Sequence, residues 1–375
     1  MFVAVALVLA TGGVLLEYAR GAAFVARAAG AQGIVRSVAE WRRQAVAETT
    51  VDIPWRVGHL RGRRYEPTRP KGRPLLLVPG VHASGIDEPR LIGFARELAS
   101  IGHPTVTAEL PDLTHYSVTV RTTDMIEDAA LWLTGQPGLP PDGRIGMMGI
   151  SFAGGLSIVA AGRPVLRDRV AFVLSFGGHG NLPRTLHYLV TGVQPDGTHR
   201  PPHDYGVAII LLGVAERVVP ESQAPALRAA ILSFLEASRL DMLDKEQASR
   251  EFARARALAS SLPEPSRTLM TYVNDRDVGH LGPILAPHLQ VLGGDPALSP
   301  DHSAPPAAVV YLLHGMDDNV IPAIESALLA RTLRDRGVTV RFLATPLVTH
   351  AEVDRNAPAS SAWALVRFWS AVLDD

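Results

Sequence analysis

Three apolar runs, Leu75–Val78, Ile145–Ile150 and Val170–Phe176, constrain this chain more than any other feature in it. An antiparallel strand with one wet face alternates apolar and polar residues. A run with almost no polar position belongs to a strand covered on both faces, as in a parallel sheet. Helical patterns sit between the runs. Pro89–Ile101 carries apolar residues at 91, 92, 94, 95 and 98, and Thr122–Leu133 has an apolar face that includes Met125, Ile126, Ala129 and Trp132. Phe152–Ala161 reads as a helix of small and aliphatic residues, and Thr105–Leu110 as a further strand. The alternation predicts an α/β protein with a mostly parallel, doubly wound sheet.

After Phe176 the rhythm stops. Residues 179–305 read as Pro/Gly/His-rich loops and helices, for example Ser222–Ser238 and Asp244–Ser261. It returns with a strand at Ala307–Leu313, a helix at Ile324–Arg336, a strand at Val338–Leu343 and a closing helix at Ser360–Leu373. The expected organisation is a core in two parts, 74–178 and 306–375, interrupted by a helical cap at 179–305. Ahead of the core come an apolar segment at 1–16 and a helical or linker region at 17–73. At 375 residues and 47% hydrophobic, the chain can bury a large core. A net charge of −1 makes no case for nucleic-acid binding. The absence of cysteine excludes disulfides, thiolate nucleophiles and zinc–thiolate sites.

Met1–Leu16 is uncharged and almost wholly apolar. It is slightly short for a membrane span, which needs roughly 17–25 residues, and lacks the basic start of a secretory signal. Residues 17–73 carry twelve Arg or Lys against five acids, a flank that stays cytoplasmic if the segment inserts. The expectation is a membrane-associated chain with a cytoplasmic catalytic domain. A non-spanning N-terminal helix on a soluble protein and a cleaved signal on a secreted one stand as alternatives. The sequence does not read out an oligomeric state.

Gly149-Ile150-Ser151-Phe152-Ala153 lies between a strand and a helix and has the shape of a nucleophile elbow. The turn there is so sharp that its flanks must be small, and it lifts the serine oxygen beside a helix N-terminus. Ala153 stands where glycine is usual, and a plain glycine-rich turn is the competing reading. A serine needs a base within reach and a group that orients the base. Of thirteen histidines, His350 is best placed, in the loop between the last strand and the closing helix. An orienting carboxylate should follow the strand Ala307–Leu313, where the chain reads His314-Gly315-Met316-Asp317-Asp318-Asn319-Val320-Ile321-Pro322. Either aspartate fits, and so does a turn capped by Asp/Asn with Pro322 opening a helix.

From about Pro74 onward the chain resembles an α/β-hydrolase: a serine elbow, then the 314–322 string, then His350, in the family's order. The resemblance places the nucleophile on Ser151, the acid on Asp318 rather than Asp317, and the base on His350. The family's oxyanion loop, usually His-Gly, reads Pro79-Gly80-Val81 here, so the resemblance implies backbone N–H donors at Val81 and Phe152. It implies a serine ester hydrolase with a small-molecule substrate of unspecified ester class and no metal or organic cofactor, and the cap and possible tether point to a hydrophobic, membrane-derived ester. A missing cysteine excludes thiol-dependent dienelactone hydrolysis, and a serine nucleophile speaks against dehalogenase and epoxide-hydrolase chemistry. Only 73 residues precede the core, too few for a peptidase propeller. An acyltransferase, lactonase or amidase using the same triad, or a silent ligand-binding fold, are the alternatives.

In this family a helical lid occupies the place of the cap and shapes an acyl or alcohol pocket. Tyr205, Ile209, Leu211, Leu212, Leu232 and Phe234 are candidates for facing it, or else form the cap's own core. Pro201 and Pro202 break any helix between His199 and His203, so a metal pair is not expected there. Asp87 and Glu88 are positioned to cap the helix near Pro89.

Overall fold

Every residue of Leu75–Val78 is buried, because the strand it forms has helices on both sides. The computed structural model describes residues 18–27, 40, 43–241, 243–348 and 359–375. Among the described residues eight strands make one sheet: β1 (Val46–Trp55), β2 (Gly58–Pro67), β3 (Leu75–Val78), β4 (Thr105–Ala108), β5 (Ile145–Ile150), β6 (Val170–Phe176), β7 (Val309–Gly315) and β8 (Val340–Thr345). Their order is β1-β2-β4-β3-β5-β6-β7-β8. β1 with β2 and β2 with β4 run antiparallel, and every other pair is parallel. This mostly parallel sheet, flanked by helices, is the α/β-hydrolase type of architecture expected above.

The helices are α1 (Pro89–Ser100), α2 (Val120–Thr134), α3 (Phe152–Gly162), α4 (Leu182–Thr191), α5 (Tyr205–Val218), α6 (Ala224–Asp241), α7 (Lys245–Ser261), α8 (Ser266–Asn274), α9 (Val278–Leu285), α10 (Ile324–Asp335) and α11 (Ala359–Asp374), besides short turns and helical residues at 18–27. Alternate strand residues serve opposite faces of the sheet. Leu76, Met147, Val173 and Val310 pack with α2, α3 and α10, whereas Leu77, Met148, Leu174 and Tyr311 pack with α1 and α11. Each such aliphatic side chain contributes about 1.5–3 kcal/mol when fully buried.

The stretch 17–73, expected as helical or linker, is corrected by the hairpin β1–β2, which extends the sheet beyond β4. The residues of β1 hide this because most face water. Among the ten residues of β1 only Ile53 is buried, so no apolar alternation marks the strand and its backbone ladder carries the pairing. The segment 1–16 lies outside the described residues. Among those described, no helix is long and apolar enough to cross a membrane.

The cap, α4–α9, shares the core with the sheet. Phe152 and Leu156 of α3 and Ile321 of the loop after β7 belong to the same buried cluster as Leu186, Tyr188 and Leu211 of the cap. Of the cap residues singled out in the sequence, Leu211 and Phe234 are buried at its heart.

Candidate active site

Ser151 sits between β5 and α3 with φ 56° and ψ −134°, a conformation that non-glycine residues avoid. The surroundings impose it. Ser151 N–H donates to Phe176 O (2.8 Å), extending the β5–β6 ladder to the serine itself, while Gly154 N–H donates to Ser151 O (2.8 Å) as the helix begins. Gly149 has no room for a side chain: a Cβ there would meet Ala153 C and Ser157 Oγ at 2.6 Å. Ala153, fully buried, is therefore compatible with the elbow, because the close approach is made by its backbone. Ser151 is 7% exposed, and its Oγ has no hydrogen-bond partner among the described residues.

The loop after β3 packs directly on this turn. A Cβ on Gly80 would stand 3.3 Å from Ile150 O and from Ser151 Cβ. Val81 N–H follows, and Phe152 N–H opens α3. Among the described residues neither donates to a backbone carbonyl, as expected of free helix-terminal and loop donors. Glu88 caps α1, accepting from Leu91 N–H (2.7 Å), while Asp87 instead pairs with Arg61 and Arg63.

The two aspartates after β7 differ sharply. Asp317 is exposed and pairs with Arg200 (3.1 Å). Asp318 is 1% exposed, and its Oδ1 accepts from Val320 N–H (2.8 Å) and Ile321 N–H (3.0 Å). Its Oδ2 lies 3.5 Å from His314 Nε2. His314, fully buried, is a brace: Nε2–H donates to Ile321 O (2.8 Å) and Nδ1 meets Ser326 Oγ (2.7 Å). His350 lies outside the described residues. The strand that precedes it, β8, ends at Thr345, which pairs with Gly315 at the start of the loop that carries Asp317 and Asp318.

A cleft of about 380 Å³ opens between core and cap, lined by Ala83, His115 and Tyr116 on one side and Leu212, Leu232 and Glu236 on the other. Tyr116 holds φ 58°, and burial pushes its phenol up to about 12. Burial also holds His82, beside this cleft's Ala83, below the usual histidine range. Leu212 and Leu232 thus face a pocket, whereas Leu211 and Phe234 are core. A larger cavity, about 580 Å³, lies along β8 and α11 and includes none of the candidate site residues.

Sequence reasoning missed several polar anchors here. Glu325, fully buried on α10, accepts from Gly180 N–H (3.1 Å), Asn181 N–H (3.0 Å) and the Arg184 guanidinium (2.5 and 2.9 Å). His179, also fully buried, meets Leu298 O at 2.8 Å and lies beside Phe152, the rings tilted with centroids 5.5 Å apart. These partners are more than a hundred residues apart or lie in unremarkable loops, so no local pattern announces them.

No protein-family model and no curated protein sequence matches the chain. Solved structures that resemble it include an esterase from the archaeon Pyrobaculum calidifontis, at 14% identity over 96% of this chain and 94% of that one, TM-score 0.46. A carboxylesterase from a metagenomic library shares 17% identity over 88% and 90%, TM-score 0.47. An acylaminoacyl peptidase of Pyrococcus horikoshii shares 12% over 92% of this chain and 43% of that one, TM-score 0.49. Such likeness concerns shape alone, and one shape hosts many chemistries.

Proposed function

We propose that this chain is a serine hydrolase that cleaves hydrophobic carboxylic esters through an acyl-enzyme. The observation that carries the reading is Ser151, held at positive φ between β5 and α3 with its side chain left out of the helix cap. A turn under that strain is a feature of functional sites.

In this reading Ser151 Oγ attacks the ester carbonyl carbon while His350 accepts its proton. Asp318, its Oδ1 engaged by Val320 and Ile321, holds the imidazole through Oδ2 and stabilises its protonated form. The carbonyl oxygen, now negative, is received by Val81 and Phe152 N–H at the positive end of α3. One such donor is worth roughly 2.7–4 kcal/mol. Collapse breaks the bond to the alkoxy oxygen, which leaves as alcohol with the proton from His350. Water, deprotonated by the same imidazole, then attacks the acyl carbon, releases the acid and restores Ser151.

The test is a p-nitrophenyl ester series together with fluorophosphonate labelling. The wild-type chain should hydrolyse the esters and take one label at Ser151, and Ser151→Ala should lose both. Hydrolysis at the wild-type rate in Ser151→Ala would sink the assignment. So would failure of the folded wild-type chain to label.

A further inference from the structure

Two sides of the cap differ. On one side its entry and exit are stitched together and to the core. Glu325 gathers Gly180, Asn181 and Arg184, Leu182 N–H donates to Ser299 Oγ (2.9 Å), and Asn181 reaches Asp301 (3.1 Å). Farther along, His203 N–H donates to Asn319 O (2.8 Å), next to Asp318, and Arg200 donates to Asp317 O (2.8 Å). On the other side, across the cleft between Tyr116 and Leu232, no hydrogen bond or ion pair bridges core and cap among the described residues.

A jaw hinged on the stitched side would have to open the cluster that the cap shares with α3 and the acid loop. Exposing it costs about 25 cal/mol per Å² of apolar surface, besides strain on buried hydrogen bonds at the hinge. The cleft, by contrast, is already open. Ala83 on its wall is three residues beyond Gly80, hence within about 11 Å of the residue that touches Ser151. Its charges are spoken for: Arg228 is paired with Glu216, and Glu236 with Arg239 (2.6 Å). Neither the guanidinium nor the carboxylate of this lining stands without an opposite charge beside it. Leu232 is 43% exposed, a large apolar side chain held at the opening.

Resting on the function proposed above, we propose that the cap is a fixed roof and that substrate reaches Ser151 through the cleft between Tyr116 and Leu232. The substrates are then single dissolved molecules of uncharged apolar ester, selected at this entrance, rather than lipid aggregates.

The test follows p-nitrophenyl octanoate hydrolysis through the ester's solubility limit. A rate that levels off with dissolved ester supports the proposal, and a step upward when droplets form overturns it. Leu232→Trp should lower the octanoate-to-acetate ratio of kcat/KM by roughly tenfold or more. An unchanged ratio overturns the entrance. A third readout does not depend on the serine chemistry: hydrogen exchange in segments 182–191 and 205–218, with and without emulsified octyl acetate. Unchanged protection supports a fixed roof, and loss of protection overturns it. Should no ester be cleaved at all, the reading of Ser151 fails while exchange still decides the cap.

Discussion

Gly80 approaches Ser151 so closely that a single added carbon on the glycine would stand 3.3 Å from the serine's Cβ. The loop after β3 and the elbow after β5 are thus one packed unit, and their spacing is set by the missing side chain. Gly80→Ala should push the loop back by a few tenths of an ångström and move Val81 N–H with it. The expected outcome is a fall in kcat of roughly tenfold with little change in Tm. Steady-state kinetics beside thermal unfolding checks it, and a large Tm loss with unchanged kcat would contradict it.

Burial separates the two neighbouring aspartates. Asp318→Asn should lower kcat on the order of 10⁴-fold. Asp317→Asn, exposed and paired with Arg200, should change it less than about twofold. Kinetics of the two purified variants decides the register. A greater loss at 317 would move the acid by one residue.

His103 lies 3% exposed against the loop before β3, its Nδ1–H donating to Arg73 O (3.1 Å). Burial holds its imidazole down at about 4. The unfolded chain takes up a proton near the ordinary histidine value, about 6.5, and the folded chain does not. Stability from this group is therefore complete above about pH 6.5 and falls as pH drops toward 4, by about 3 kcal/mol in all. Urea unfolding from pH 7 to 4 should show the decline, and His103→Gln should flatten it.

Glu325→Ala would take the acceptor from the Gly180 and Asn181 N–H groups and leave Arg184 with Asp301 as its remaining carboxylate. A loss of about 3 kcal/mol is expected, with Glu325→Gln losing less because the amide oxygen still accepts. Chemical denaturation measures both. Equal stability of Glu325→Ala and the wild-type chain would show that Glu325 does not anchor the cap's entry.

Much of the core was readable because its strands are covered on both faces: β3, β5 and β6 run where the apolar runs lie, residue for residue. The elbow was readable through Gly149, which the packing of Ala153 makes obligatory. β1 escaped because a wet edge strand carries no apolar period, only Ile53 being buried, and β2 because its buried Leu60, Gly62, Tyr65 and Pro67 are interrupted by arginines. Glu325 and His179 escaped for a different reason. Each is a single polar residue whose meaning lies in partners such as Gly180 and Leu298, far away along the chain.

β6 and β7 are parallel neighbours, Phe172 against Val309 and Phe176 against Leu313, although the entire cap lies between them in sequence. Joining two strands across so long a loop carries an entropy penalty that grows with the logarithm of its length, and such distant pairings slow folding. The contacts that bring Leu182 to Ser299 and Gly180 to Asp301 shorten that loop at its base. The cap is therefore a clasp in the order of assembly. Collapsed on itself, it holds its two ends together and brings β7 to the free edge of β6.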